Sequence, residues 1–120
     1  DMMVNPFPFG NTNGIIDMVT IGLVGICKTG PEVHEHIDEG LFRRLGLPEW
    51  LIAHTVDEYV ERSIRLAENH AERLALRRQI IENNGLSTLF TGDPRPMGQI
   101  FLQKLKEWAE SRKVKLQIAA

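Results

Sequence analysis

Gly10-Asn11-Thr12-Asn13-Gly14 is a cluster of turn formers, and Asp17 follows Asn13 at a spacing of four. A turn that feeds a helix leaves backbone N–H groups unpaired at the positive end of the helix dipole, where anions bind. Glycine at positions 10 and 14 lets the backbone approach a ligand with no Cβ in the way. Asn11, Thr12 and Asn13 add neutral side-chain donors, which suit a diphosphate that must be held and then released. Asp17 falls on the same helical face as Asn13, one turn further in. A carboxylate there would repel a phosphate in contact with it, but can accept hydrogen bonds from a ribose diol just beyond. The same residues also read as a capped surface turn with a solvated aspartate, and spacing alone leaves both readings open. No GxGxxG pattern is present, so a dinucleotide site is not expected.

The other chemistry-bearing residues read more plainly. His34 and His36 in "VHEHID" are two apart, which on a helix sets them on nearly opposite sides, so they do not chelate one ion as neighbours. Glu32 and His36 are correctly spaced, but two ligands do not make a metal site. Solvated or partly packed histidines are expected, with His54 and His70 near helix boundaries. Cys27 lies at a strand end beside Lys28, with no histidine placed as a partner; a buried structural thiol is expected. Arg43-Arg44 and Arg77-Arg78 are balanced by neighbouring glutamates and read as solvated helix faces.

The elements that must position the turn follow from local pattern. Met2–Asn5 is a short apolar run stopped by Pro6 and Pro8, a buried strand entering a rigid loop. With Asn13 as N-cap, Gly14 to Ile21 reads as a short helix ending at Gly22. Leu23–Lys28, with Val24 and Ile26, reads as a second strand. Strand, turn, helix, strand is half of a doubly wound α/β unit, with the turn at the carboxyl end of the first strand. A helix is expected from Glu32 to about Leu45, stopped by Gly46, then a short helix from Pro48 through Ile52. Thr55-Val56-Asp57-Glu58 is a capping-box sequence. Behind it Val56, Val60, Ile64 and Ala67 form the expected inner face, with Glu58/Arg62 and Glu61/Arg65 outside. A helix over Ala71–Glu82 ends at Asn83-Asn84-Gly85. A last helix from Met97 to about Arg112 carries Ile100, Phe101, Leu105 and Trp108 on its apolar face, and the remaining "KVKLQIAA" reads as frayed or appended. Trp50, Leu66, Ile80, Phe90 and Trp108 are expected to be buried.

The chain of 120 residues is enough for one modest domain, with an ordinary 42% hydrophobic and 25% charged composition. A net charge of −2 argues against nucleic-acid binding through bulk positive charge. A single cysteine excludes an internal disulfide framework and suits a reducing compartment. The apolar stretch Ile15–Cys27 is interrupted by Asp17, Thr20, Gly22 and Gly25 and is not a membrane span. Asp1-Met2-Met3 shows no basic region of a signal peptide. Two strands cannot make a stable sheet alone. A C-terminal piece of a larger protein is therefore expected.

"PFPFGNTNGIID", "CKTGPEVHEHIDEGLFRRLGLPEWLIAHTVDEYVERSIRLAENH" and "NNGLSTLFTGDPRPMGQIFLQKL" together resemble the C-terminal end of bacterial cytoplasmic N-glucosyltransferases of the adhesin-modifying type. These are relatives of the eukaryotic O-linked N-acetylglucosamine transferases. The resemblance covers about Val4 to Trp108. It implies an α/β fold: the last part of the donor-binding Rossmann-like domain of a GT-B enzyme, with two parallel strands and five or six helices. Residues 1–46 would form the nucleotide-binding segment and its following helix, and 47–120 the C-terminal helices of the same domain. Such enzymes transfer glucose from UDP-glucose to asparagine in Asn-x-Ser/Thr sequons of adhesins in the cytoplasm, with inversion and with no metal or other cofactor. Their relatives carry Gly-His-Thr-Thr-Gly-Met-Asp where this chain has Gly10-Asn11-Thr12-Asn13-Gly14-Ile15-Ile16-Asp17. The resemblance implies that Asn11, Thr12, Asn13 and Gly14 cradle the diphosphate and that Asp17 holds the ribose. It assigns no catalytic or metal-binding residue here, so the chain alone is expected to be inactive. The alternative is a non-catalytic helical interaction module with a vestigial nucleotide turn.

Overall fold

The computed structural model describes residues 1–118. Three short strands, β1 (Met3–Val4), β2 (Gly25–Lys28) and β3 (Ile52–Ala53), form a parallel sheet in the order β1-β2-β3. Met3 pairs with Gly25 and Val4 with Ile26; Cys27 pairs with Ile52 and Lys28 with Ala53. The α/β class, the parallel pairing and the excess of helix match the sequence reading. The third strand does not: Glu49–Leu51 forms a single 3-10 turn, and Ile52-Ala53 then extends alongside β2. Two residues are too few to leave a periodic signal, so the pairing comes from tertiary context.

Helix α1 (Thr12–Thr20) connects β1 to β2 and helix α2 (Val33–Arg44) connects β2 to β3. Glu32 caps α2 in a reciprocal capping box with Glu35, and the helix gives way at Gly46, whose φ of +68° suits glycine. Helix α3 (Val56–Glu68) starts on Thr55, whose hydroxyl accepts from the Glu58 amide. Helices α4 (His70–Glu82), α5 (Gly85–Phe90) and α6 (Arg95–Ile118) follow. Asn83-Asn84-Gly85 ends α4 as expected but also launches α5: Asn84 takes the left-handed conformation (φ 50°) and its carbonyl accepts from the Thr88 amide. Helix α6 continues to Ile118, so most of the expected frayed tail is helical; residues 119–120 lie outside the described residues.

The core gathers Ile15 and Met18 of α1, Ile26 and Cys27 of β2, Phe42 of α2, Leu51, Ile52, Leu66 of α3 and Ile80 of α4, all essentially inaccessible. Each such aliphatic or aromatic side chain contributes about 1.5–3 kcal/mol by leaving water. Leu66 and Ile80 are buried as expected and Trp50 is half-buried under the Arg65 guanidinium. Phe90 and Trp108 are not: they are 70% and 55% exposed. Ile100, Phe101 and Leu105 are likewise exposed, so the apolar stripe of α6 exists but faces outward.

Helix α3 is rotated from the expected orientation. Val56, Val60, Ile64 and Ala67 are exposed, while Tyr59, Arg62, Ser63 and Leu66 face inward. The inward polar groups each find a backbone carbonyl. Tyr59 donates to Asn5 (2.5 Å), Arg62 to Ile52 (2.6 Å) and Ser63 to Tyr59 (2.6 Å). The Glu58/Arg62 ion pair forms at 3.2 Å, but Arg65 turns to Glu72 rather than to Glu61.

Candidate functional site

The carboxyl ends of the three strands bring together the β1–α1 loop, Lys28 at the end of β2 with Thr29 after it, and His54 after β3. This is the edge where open parallel sheets bind their ligands. The loop from Asn5 to Asn11 carries Pro6 and a cis Phe7–Pro8 peptide before reaching α1.

Helix α1 begins two residues earlier than its sequence suggests. Asn11, not Asn13, is the N-cap: its side-chain oxygen accepts from the Gly14 amide at 3.1 Å, and its carbonyl accepts from Ile15 at 2.9 Å. The reason lies outside the helix. The Asn11 amide donates to the Asp38 carboxylate on α2, at 2.9 and 3.2 Å to its two oxygens, which fixes Asn11 at the turn. With the amides of Gly14 and Ile15 taken, the hydrogen bonds of the described residues leave those of Thr12 and Asn13 unpaired in the first turn. The Thr12 and Asn13 side chains are exposed, Asn11 and Gly14 are half-buried, and Asp17 is exposed one turn further on. The structure thus collects Asn11, Thr12, Asn13, Gly14 and Asp17 on one short helix, but gives Asn11 a structural duty and frees Asn13 from it.

The residues that sequence reasoning missed lie behind the turn. Asn5 is fully buried at the end of β1. Its amide donates to the Ile26 carbonyl, its carbonyl accepts from Tyr59, and its side-chain nitrogen donates to Asp38 at 3.1 Å. Asp38 is 2% exposed. Burial pushes its carboxyl above the usual carboxylate range, opposed by the hydrogen bonds from Asn11 and Asn5. Gly10, at φ +72°, lies directly on this carboxylate: a Cβ there would come within 2.6–2.7 Å of its atoms. A readable signal for Asp38 did exist. It stands four residues before Phe42 and seven before Leu45, on the buried side of α2, where a lone carboxylate must have partners.

A second polar group closes the end of β2. The Thr29 hydroxyl donates to Glu39, whose carboxylate also meets His36 (2.9 Å) and Arg43 (2.9 Å). The hydroxyl of Thr29 and then the His36 ring hold Glu39 below the usual carboxylate range. His34 stacks on Phe9 with centroids 4.7 Å apart. His34 is thus partly packed and His36 exposed, within the expectation of solvated or partly packed histidines. Cys27 is fully buried, and desolvation, reinforced by Asp38 and Glu39, pushes its thiol up to about 12, which fits a structural thiol rather than a nucleophile. Among the described residues no group of three or more histidine, cysteine, aspartate or glutamate side chains could hold a metal ion, and no helix is long and apolar enough to cross a membrane.

No family model matches the chain. Over 105 residues it is 88% identical to the UDP-glucose:protein N-beta-glucosyltransferase of Actinobacillus pleuropneumoniae serotype 5b (strain L20). The enzyme of the same name from serotype 7 (strain AP76) matches equally well. The chain is homologous to these N-glucosyltransferases. The matched residues make up 88% of this chain but only 17% of either relative, so it corresponds to a part of such a protein. The resemblance carried by the turn and the α2–α3 stretch therefore holds across nearly all of the chain.

Proposed function

We propose that this chain forms part of the UDP-sugar-binding region of an inverting, metal-independent protein N-glucosyltransferase, at the C-terminal end of a GT-B donor domain. The observation that carries the reading is the pair of unpaired amides, Thr12 and Asn13, at the start of a nine-residue helix that begins at the carboxyl end of the sheet. A nucleoside diphosphate placed there receives two backbone donors and the favourable end of the helix dipole. The exposed side chains of Thr12 and Asn13 can add donors. Gly14 leaves room for the Asn11 cap, whose side chain a Cβ there would strike, and Asp17 accepts from the ribose hydroxyls.

In this reading the donor is UDP-glucose and no further cofactor takes part. The acceptor is an asparagine in an Asn-x-Ser/Thr sequon of a cytoplasmic adhesin precursor. The helix dipole and donors stabilise the negative charge that builds on the diphosphate as its bond to the sugar breaks. Asp38 and Glu39 are already engaged by neighbours, so the chain's buried carboxylates are not offered as a base. Catalytic groups and the acceptor surface belong to the rest of the polypeptide, and this chain alone is inactive.

Calorimetry with UDP on the full-length protein tests the site. A charged hydrogen bond contributes about 1.5–3 kcal/mol, so Asp17→Ala should weaken UDP binding roughly ten- to a hundred-fold, with the fold intact because Asp17 is exposed. Asp17→Asn should do less harm, since an amide oxygen still accepts. Undiminished UDP binding by folded Asp17→Ala would return the turn to a purely structural role. The competing reading, a helical interaction module, draws on the outward apolar face of α6; it predicts no UDP binding at all.

A further inference from the structure

The loop that carries the proposed diphosphate turn is tied at both ends to one side chain on another helix. Asn5, where the loop leaves β1, donates its side-chain N–H to Asp38 Oδ2 at 3.1 Å. Asn11, where the loop enters α1, donates its backbone N–H to the same oxygen at 2.9 Å. Between them Gly10 rests against the carboxylate with no room for a Cβ. A carboxylate is the only common side-chain group that can accept twice at this depth and offer no donor of its own.

From this geometry we infer that Asp38 is the positioning residue of the diphosphate turn: it holds Asn11 as N-cap so that the Thr12 and Asn13 amides remain unpaired and face a ligand. The inference rests on the reading of that turn as a UDP site. If Asn11 were released, the cap could pass to Asn13, the alternative N-cap in the sequence, and the helix would start two residues later. The amides of Thr12 and Asn13 would then no longer be the first-turn donors. Asp38 touches neither phosphate nor sugar in this scheme; it acts through Asn11. Asn5 secures the other end of the loop, itself held from three sides by Ile26, Tyr59 and Asp38.

A positioning role and a merely structural one differ in which ligand they affect. UDP and uridine share the ribose contact to Asp17, but only UDP carries the phosphates. In the full-length protein, Asp38→Leu keeps the size of the side chain and removes the oxygen that accepts from both Asn5 and Asn11. It should weaken UDP binding about tenfold while leaving uridine binding, read by competition, unchanged. Gly10→Ala keeps the buried charge but must move it or the loop, because its Cβ would lie 2.6–2.7 Å from the carboxylate and its φ of +72° strains the backbone; the same UDP-selective loss is expected. Equal weakening of both ligands in either folded variant, or UDP affinity unchanged in folded Gly10→Ala, would overturn the assignment of Asp38. Failure of the wild-type protein to bind UDP would instead overturn the reading of the turn itself.

Discussion

Around α1 and α2 the chain encloses its buried carboxylate and rings, leaving only the Asn5 side-chain oxygen unpaired among the buried side-chain atoms of the described residues, whereas along α5 and α6 apolar side chains face outward. Asp38, a buried carboxylate, collects donors from Asn5 and Asn11, and Phe42 one turn later is completely enclosed. Phe90, Met97, Ile100, Phe101 and Trp108, in contrast, carry an apolar pattern just as regular and remain exposed. The difference teaches that periodicity marks a face for burial without saying what buries it. In the first region the partner elements lie within the chain. In the second the described residues leave the face exposed; the matched stretch is 17% of either relative's length.

The sharpest way to break this comparison is to delete equivalent rings on the two sides. Phe42→Ala removes a fully enclosed ring and should cost about 3–5 kcal/mol, read as a lowered denaturant midpoint. Phe90→Ala, at a ring 70% exposed, should change the stability of this chain by no more than about 0.5 kcal/mol. Similar losses at the two positions would show that the Phe90 ring is packed after all and that the two regions do not differ.

A smaller effect separates the two candidate caps of α1. Asn11→Ala removes the side-chain acceptor for the Gly14 amide and should cost about 1 kcal/mol. The backbone link from Asn11 to Asp38 survives that change, which limits the damage. Asn13→Ala, at an exposed side chain inside the first turn, should stay within about 0.5 kcal/mol. Thermal melts of the two variants side by side check the order. If Asn13→Ala proved the more costly, the helix would start where its sequence pattern alone puts it, and the clasp by Asp38 would not govern the turn.

The legibility of the sequence follows the same division. The α/β class, the turn at the end of β1, the α2 stop at Gly46 and the Thr55 cap could all be read, because each depends on neighbours a few residues away. The residues of the candidate site were legible as types in a row, Asn11 to Gly14 and Asp17. What could not be read was set across the chain. Asn11 caps α1 because of Asp38, 27 positions later. Strand β3 exists because two residues meet β2. Helix α3 turns its Val56, Val60 and Ile64 stripe outward because Tyr59 and Arg62 reach carbonyls of Asn5 and Ile52 beneath it. The polar groups won that contest because an unmet buried carbonyl is costly, while a half-exposed valine loses only part of its transfer energy.

Trp108 offers the finest test, because its sequence pattern demands a core position and its surroundings deny one. The ring is 55% exposed, and the Arg112 guanidinium lies over it at 4.4 Å. An exposed cation–π contact contributes only about 0.5–1 kcal/mol. Trp108→Ala should therefore cost this chain less than about 1 kcal/mol, rather than the 3–5 kcal/mol of a packed tryptophan. Fluorescence gives an independent check, since Trp50 and Trp108 are the two tryptophans of the chain. In Trp50→Phe the remaining emission should be that of a solvated indole and readily quenched by iodide. In Trp108→Ala the half-buried Trp50, under Arg65, should emit further to the blue and resist quenching. In the full-length protein the same Trp108→Ala substitution reads how that face is covered. A cost rising towards 3–5 kcal/mol there, with a small cost in this chain, would place the partner of α6 in the remaining polypeptide. A large cost in both would mean that α6 finds its contacts within these residues, and the contrast between the two regions would collapse.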